Sequence, residues 1–273
     1  MNYLGYRIDE FNDKELAEFY SNNKKITTDL PNNGYLLIQN KGEIIDEYRY
    51  NNGELQKLKY IPISNNFSGT IKPKNPQQKL AFDMLQNKDI TIKFLTGVYG
   101  SGKTFLMTEM ALDLIRRGVF KKIVWVRNNI EVKNSTPLGS LPGGIFDKLL
   151  PYAMPIADHV GGIDNLERLI AEDKIEVQHL GYIRGRDIKD SIILSSESEN
   201  LTKEHIQLLI GRVSEGSNLW IEGDLRQTDK EVFENNNGLE IAINRLKGNP
   251  LFGYVHFPKT ERSATAQLAD LLD

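Results

Sequence analysis

One glycine-rich stretch, residues 97–104, constrains this chain more than any other feature of its sequence. It reads G-x-x-x-x-G-K-T, with an apolar, β-prone run at 90–96 before it and a helical pattern at 105–117 after it. In a strand, glycine loop and helix of this kind, backbone N–H groups and the positive end of the helix converge on a phosphate. The alternative is a glycine-rich turn that binds nothing, and such a turn needs neither the four fixed positions nor both flanks. The pattern therefore predicts a P-loop that binds a nucleoside triphosphate.

Two side chains of this loop have predicted roles. Lys103 is expected to reach the β- and γ-phosphates, and the Thr104 hydroxyl is expected to hold Mg²⁺. The predicted nucleotide-binding set comprises the whole loop and the next residue: Gly97, Val98, Tyr99, Gly100, Ser101, Gly102, Lys103, Thr104 and Phe105.

Composition limits the remaining possibilities. With 40% hydrophobic and 26% charged residues, the chain matches an ordinary soluble globular protein. We find neither an apolar run long enough for a membrane span nor a signal-peptide pattern, and there is no cysteine for disulfides or thiolate metal sites. These features favour a cytoplasmic protein. Because the net charge is −3, nucleic-acid binding would require a local basic patch or an assembled channel.

The N-terminal part predicts a small accessory unit. A helix is expected over 13–21, with Asn12 as its cap and Glu15 completing a capping box. Three β-prone runs follow, separated by Asn-Gly-type and Lys-Gly-type turn signals, which indicates an antiparallel unit. The runs are 35–39, 44–50 and 54–61.

The small polar stretch 64–70 is interpreted as a linker, so we predict one unit over 1–70 and a second domain over 71–273. The N-terminal unit could also be a purely structural appendage.

The second domain is predicted to be a doubly wound, mostly parallel α/β sheet, because strand patterns alternate with helical ones around the P-loop. A helix opens at Asn75-Pro76, and a last helix is expected over 265–272. The Pro- and Gly-rich segment 128–162 lacks obvious periodicity and is typical of a functional or partly disordered loop. The predicted strands after the P-loop are 122–127, 191–195, 219–222 and 252–257.

Several polar residues follow these strands where a ligand crevice is expected. Arg127 could contact a phosphate or a partner, or it could simply be solvated. After 191–195 comes Ser196-Glu197, where an acidic pair normally supplies Mg²⁺ binding and the base that orients water. Glu197 is a credible base, and the metal-side carboxylate is absent. Asp224 and Gln227 belong to a G-D-x-x-Q motif that resembles the γ-phosphate sensor of helicase-type ATPases.

Gln78 lies near the start of the helix that precedes the P-loop strand. An amide in this position can read an adenine edge, although an exposed glutamine at a helix start is more often only solvated.

Taken together, these motifs carry a resemblance to a known family. Residues 71–273 resemble the PhoH family of P-loop ATPases in order and nearly without gaps. The sequences of these motifs are most similar to the ATPase half of the longer family members, which carry an N-terminal PIN nuclease domain. Residues 29–70 resemble the β-rich connector of those longer members. Because the residues before 29 are too few for that nuclease, the resemblance implies an ATPase module without it. The matching stretches are 72–78, 97–104, 138–143, 184–186, 197–202, 223–229, 238–239 and 261–263.

The resemblance implies a RecA-like or helicase-like fold that binds ATP together with Mg²⁺. It implies that Gln78 contacts adenine, that Lys103 and Thr104 contact phosphate and Mg²⁺, and that Asp224 belongs to the nucleotide site. It also implies catalytic roles for Lys103, for Glu197 as the base, for Gln227 as the sensor and for Arg262 as a phosphate contact. The family's D-E-A-Q-N becomes Ser196-Glu197-Ser198-Glu199-Asn200 here, so Thr104 and Ser196 form the expected metal site. A serine hydroxyl can still orient a Mg²⁺-bound water.

Two functions from different classes follow from this interpretation. The first is an ATPase that couples hydrolysis to binding or remodelling of RNA or single-stranded nucleic acid. The second is an ATP-binding assembly module whose hydrolysis is weak, which the serine at 196 favours. A small-molecule kinase would leave G-D-x-x-Q unexplained.

Because one sheet domain supplies only half of a helicase-type site, a homo-oligomeric ring such as a hexamer is expected. Arg262, Arg184 and Arg186 are the candidates to act across its interface. Arg184, Arg186 and the segment 128–150 are expected to line a nucleic-acid channel.

Overall fold

A computed structural model describes residues 3–22, 29–65, 69–127, 145–225 and 237–261. Within these ranges the helices are α1 (Asp13–Ser21), α2 (Pro76–Gln86), α3 (Lys103–Arg116), α4 (Ile145–Val160), α5 (Ile163–Ala171), α6 (Lys203–Ile210) and α7 (Gly238–Leu246). The strands are β1 (Tyr6–Glu10), β2 (Tyr35–Asn40), β3 (Glu43–Asn51), β4 (Glu54–Lys57), β5 (Ile63–Asn65), β6 (Gly69–Ile71), β7 (Ile92–Gly97), β8 (Lys122–Arg127), β9 (Ile175–His179), β10 (Ser191–Ser195), β11 (Asn218–Gly223) and β12 (Phe252–Phe257).

The larger sheet has the order β12-β7-β11-β10-β8-β9, and every described pairing in it is parallel. Its strands are rich in β-branched and aromatic residues and are buried on both faces, as parallel strands covered by helices must be. Helices α2 to α5 contribute to the core on one face of the sheet, and α6 and α7 contribute to the core on the other. The predicted doubly wound parallel α/β sheet is confirmed.

The carboxyl ends of these parallel strands lie along one edge of the sheet. Strand β11 lies between β7, which leads into the P-loop, and β10, which leads to Ser196. This strand order places the segment after β11 between the two segments that carry the sequence-predicted chemistry. A ligand crevice is expected at such an edge.

The N-terminal unit forms its own sheet, β1-β2-β3-β4, in which β1 adds a parallel strand to the antiparallel set predicted from sequence. Helix α1 begins with the predicted capping box between Asn12 and Glu15. On β2, Leu36 and Ile38 pack in a small core with Phe19 of α1. The alternate residues of β2 point to the other face and join the main core. Burial on both faces explains why β2 is continuously apolar.

Buried polar contacts fix this unit against the larger domain. The Tyr35 hydroxyl donates to Asp83 Oδ2 on α2 at 3.0 Å, and Arg49 forms an ion pair with the same carboxylate. Asn33 Nδ2 donates to the carbonyl of Phe252 at 3.0 Å. The division at residue 70 stays a prediction, and the two parts share one hydrophobic core within the described residues.

Two loop predictions were wrong in their local structure. The linker 64–70 instead contains parts of two short paired strands, β5 and β6, and Arg116 of α3 donates to the Ser64 hydroxyl at 2.9 Å. Within 128–162, residues 145–160 form helix α4, although its sequence contains Pro151 and Pro155. The last predicted helix, 265–272, lies outside the described residues.

Among the described helices, none combines the length and the apolar character that crossing a membrane requires.

Candidate nucleotide-binding site

The P-loop connects β7 directly to α3 at the carboxyl edge of the sheet. At Gly97, a Cβ atom would lie 2.4 Å from the carbonyl oxygen of Phe257, so only glycine allows β12 to approach this closely. Gly102 caps α3 with φ +84°, a left-handed conformation that favours glycine. These two requirements give a physical reason for glycines at both positions of the motif. The resulting turn places the N-terminus of α3 at the loop, where an anion is favoured.

The two side chains with predicted roles in the loop are held close to its backbone. Lys103 is 8% exposed, and its Nζ donates to the carbonyls of Gly97 at 2.9 Å and Val98 at 3.1 Å. The Thr104 hydroxyl donates to Oε1 of Glu222 at 3.0 Å. The cation and the hydroxyl that a Mg²⁺-bound triphosphate requires are therefore both at the loop.

Glu222 is a site residue that the sequence analysis did not identify. It is 2% exposed, and its Oε1 also accepts a hydrogen bond from the Glu197 backbone N–H at 3.1 Å. Burial raises the pKa of the Glu222 carboxyl, and the charge of Lys103 opposes that rise. A charged residue near the end of a buried strand was the available signal. Arg127 at the end of β8 carries the same signal.

Glu197 is the second residue after the end of β10, and its side chain extends into solvent. Its φ of +49° is unusual for a residue that is not glycine, and its side chain is 60% exposed. The carboxylate forms an ion pair with the Arg127 guanidinium, whose side chain is 17% exposed. Arg127, for which sequence left two alternatives open, thus lies against the predicted base.

Ser196, one of the two predicted metal-site residues, is 3% exposed. Its hydroxyl has no hydrogen-bond partner among the described residues. The neighbouring serines differ, because the hydroxyls of Ser195 and Ser198 bond to each other at 2.9 Å. A buried hydroxyl without a partner at the carboxyl edge of the sheet calls for an explanation, and a bound ligand is one.

The loops after β10 and β11 are joined through Glu199. Its Oε2 accepts a hydrogen bond from the Asp224 backbone N–H at 3.3 Å, and Asp224 itself is 7% exposed. Burial raises the pKa of the Glu199 carboxyl to about 7, and the nearby charge of Glu222 adds to the rise. Glu199 therefore positions these loops, whereas Glu197 is the more exposed carboxylate.

We expect Glu199→Gln to change how stability depends on pH. The carboxyl ionises near 4.5 in an unfolded chain and near 7 in the folded chain, so its favourable contribution is complete below 4.5 and is lost as pH rises toward 7. Glutamine cannot ionise. The free energy of unfolding of the variant minus that of wild type should therefore rise by up to ~3 kcal/mol between pH 4.5 and 8. Urea unfolding at several pH values measures this, and a constant difference would contradict it.

The predicted adenine region adjoins the P-loop through Glu261. Its backbone N–H donates to the Gly100 carbonyl at 3.0 Å, and its Oε1 accepts from Asn75 Nδ2 at 2.6 Å. Asn75 also caps α2 by accepting from the Gln78 backbone N–H at 2.8 Å. The Gln78 side chain accepts from the Lys74 N–H at 2.8 Å. These contacts bring the start of α2 beside the loop.

The remaining predicted loop residues differ in exposure. Tyr99 is 59% exposed and Phe105 is 37% exposed, and the Phe105 ring packs edge-on against His159 of α4 with centroids 5.3 Å apart. Ser101 is buried. Gln227 and Arg262 lie outside the described residues. So do residues 128–144 of the predicted channel segment 128–150.

The donor set fits a Mg²⁺-bound triphosphate. Mg²⁺ prefers oxygen ligands, keeps several waters and is usually bound by one or two side chains together with the substrate phosphates. Thr104 and Glu222 supply a hydroxyl and a carboxylate oxygen 3.0 Å apart at the P-loop. In the described part of the chain, no group of three or more His, Cys, Asp or Glu residues could hold a metal alone. An ion here would therefore depend on the nucleotide.

The sequence of this chain matches a known protein family. The family model described as PhoH-like protein matches residues 70–269. The chain belongs to the PhoH-like family. The match includes every sequence-predicted site residue from Gln78 to Arg262.

Individual PhoH relatives are similar over much of the chain. Protein PhoH2 of Bacillus subtilis is 33% identical across 99% of this chain, which spans 64% of that protein. Protein PhoH2 of Mycolicibacterium smegmatis is 29% identical across 72% of the chain, and the match covers 46% of that protein. The chain thus spans between about half and two thirds of the length of these relatives. Among solved structures, the Pif1 helicase of Candida albicans aligns with 74% of this chain and 43% of its own, at 16% identity and a TM-score of 0.36.

Proposed function

We propose that this PhoH-like chain binds ATP with Mg²⁺ and hydrolyses it, coupled to the binding or remodelling of RNA or another single-stranded nucleic acid. One observation carries the hydrolase part of the proposal. Glu222 accepts hydrogen bonds both from the Thr104 hydroxyl of the P-loop and from the backbone of Glu197. A single buried carboxylate thus joins the phosphate-binding loop to the backbone of the predicted base, and holding reacting groups close together in this way favours water attack on a bound phosphate.

In this proposal each residue has a distinct role in the reaction. Lys103 neutralises charge on the β- and γ-phosphates, and bound Mg²⁺ would supply further electrostatic stabilisation of the transferring phosphoryl group. Glu197 orients a water and accepts its proton as the water oxygen bonds to the γ-phosphorus. The bond from that phosphorus to the bridging oxygen breaks, giving ADP and phosphate. Exposure of Glu197 at the sheet edge leaves its carboxylate accessible to water.

The nucleic-acid part of the proposal is supported by the segment after β9, at the same edge of the sheet. Tyr182 is 60% exposed and contacts the ring of His179, and Arg184 is also exposed. An exposed aromatic ring beside an arginine suits sequence-independent binding of single strands by stacking and charge. Arg186, by contrast, forms an ion pair with Glu176 of β9. We therefore favour Arg184 over Arg186 for this role.

We also propose that the chain acts as a homo-oligomer. The described residues contain one parallel sheet domain, whereas a helicase-type site is completed by an arginine from a second one. An arginine in trans can accelerate phosphoryl transfer by roughly 10³-fold or more. Arg262 is the first candidate for this arginine on the family resemblance, ahead of Arg184 and Arg186.

The experiment that tests this function measures phosphate release with and without single-stranded RNA, alongside molecular mass at the same concentrations. We expect ATP-dependent turnover that RNA increases and an oligomeric species in the presence of nucleotide. A strictly monomeric protein with full activity at low concentration would rule out the trans arginine. Turnover that RNA leaves unchanged would remove the nucleic-acid coupling but not the ATPase.

We expect Tyr182→Ala to weaken binding of single-stranded RNA by roughly 10-fold, because base stacking on one aromatic side chain contributes about 1–3 kcal/mol. Arg184→Ala should also weaken binding and lower the slope of log affinity against log salt by about one. Fluorescence anisotropy over a salt series measures both effects. Arg168 of α5 pairs with Glu172 on the surface, so Arg168→Ala is the matched control and should bind RNA with wild-type affinity. Unchanged affinity in both test variants would exclude this surface.

The second candidate function is an ATP-binding assembly module with weak hydrolysis. Ser196 favours it, since an uncharged hydroxyl occupies the position at which the family resemblance places an aspartate. ATP-dependent assembly without phosphate release at any Mg²⁺ concentration would support this function over the ATPase.

A further inference from the structure

Glu222 occupies a distinctive place in the sheet. In the parallel register, Ser195 of β10 pairs with Ile221 of β11, and Glu222 pairs with Leu95 of β7. Ser196 and Glu222 each lie one residue beyond the first of these pairs. They are therefore neighbours at the carboxyl edge, and Glu222 is on the strand nearer to the P-loop.

The hydrogen bond from Thr104 gives this position chemical meaning. A hydroxyl oxygen binds a cation through its lone pairs, so its proton must point to another acceptor. Glu222 Oε1 is that acceptor at 3.0 Å. The carboxylate thus orients the Thr104 hydroxyl and places a negative charge beside it. Ser196 is buried as well, but its hydroxyl carries no charge and has no partner among the residues described.

We propose that Glu222, with Thr104, forms the protein's part of the Mg²⁺ site, and that it supplies the carboxylate that is missing at Ser196. The metal-side carboxylate has in effect moved one strand across the sheet, from β10 to β11. This inference rests on the proposed nucleotide binding. It changes the expectation that Thr104 and Ser196 alone make the metal site, because the charge that attracts the ion comes from Glu222.

A purely structural role is the competing explanation. Glu222 also accepts from the Glu197 N–H at 3.1 Å, so it could serve only to fix the loop after β10. The two explanations differ in their dependence on the ion. A structural acceptor should affect nucleotide affinity equally with and without Mg²⁺, whereas a metal-site carboxylate should affect only the gain in affinity that Mg²⁺ provides.

The test therefore measures the affinity of a fluorescent ADP in EDTA and across a Mg²⁺ titration, with no turnover involved. We expect Glu222→Gln to bind the nucleotide in EDTA within about threefold of wild type. The additional affinity that Mg²⁺ gives should fall by about 10-fold or more, as is typical when a residue supporting a metal site is lost. Glu172→Gln makes the same substitution at a surface carboxylate that pairs with Arg168, and this control should keep the full Mg²⁺ gain.

A second variant returns the charge to β10. Ser196→Asp/Glu222→Thr should recover at least part of the Mg²⁺ gain that Glu222→Gln loses, and thermal unfolding would establish that each variant is folded. Retention of the full gain in Glu222→Gln, or equal losses with and without Mg²⁺, would overturn the inference while leaving nucleotide binding in place. If wild type binds no nucleotide in either condition, the proposed function fails first and this inference with it.

Discussion

Glu197→Gln is expected to lower the rate of ATP hydrolysis by about 10²- to 10⁴-fold, the range for loss of a positioned general base. Glutamine keeps the size of the side chain and loses the proton acceptor. The backbone N–H of Glu197, which bonds Glu222, is unaffected by the substitution. Nucleotide affinity should therefore stay within about threefold of wild type, because a residue that acts only on the attacking water contributes little to ground-state binding.

Phosphate release and nucleotide binding, measured on the same samples, separate these two effects. Glu199→Gln is the matched control, since it removes a nearby carboxylate that the structure connects to the Asp224 backbone. We expect this control to retain most of the activity. If Glu199→Gln is inactive and Glu197→Gln is tolerated, the base is Glu199 and the motif register predicted from sequence is wrong.

Lys103→Ala should lower the affinity for the nucleotide by roughly 100-fold and abolish hydrolysis. A charged hydrogen bond contributes about 1.5–3 kcal/mol, and each 1.4 kcal/mol is a factor of ten in affinity. Lys103 Nζ donates to the Gly97 and Val98 carbonyls, so its charge is held at the loop. The substitution removes that charge at the position where the β- and γ-phosphates are expected.

Titration with a fluorescent ATP analogue measures this loss. Lys121→Ala provides a control with the same change in charge, because Lys121 is 78% exposed and pairs with Asp190 on the surface. Wild-type affinity in both variants would mean that the P-loop does not hold the phosphates.

Much of the parallel sheet could be predicted because its strands are short apolar runs with clear boundaries. β12 matches its predicted range, 252–257, at both ends, and the P-loop fixed the strand and helix around it. Local sequence was less informative for β9, whose residues Ile175–His179 alternate between apolar and polar at the edge of the sheet. Helix α4 was missed because Pro151 and Pro155 interrupt the pattern expected of a helix.

The candidate site shows the same division between local and long-range information. Lys103 and Thr104 were identified from one contiguous motif, and their placement at the loop follows from it. The partnership of Thr104 with Glu222 joins residues 118 positions apart. It depends on β11 lying between β7 and β10, an order that residue patterns along the chain do not specify. The ion pair between Arg127 and Glu197 is hidden from sequence for the same reason.

Phosphate release by the wild-type chain, measured together with ATP binding across a range of Mg²⁺ concentrations, decides whether this chain is an ATPase. We expect saturable ATP binding and steady phosphate release that depends on Mg²⁺, with RNA not required for detectable turnover. Binding of ATP without phosphate release at any Mg²⁺ concentration, with or without RNA, would contradict the ATPase and favour the assembly module.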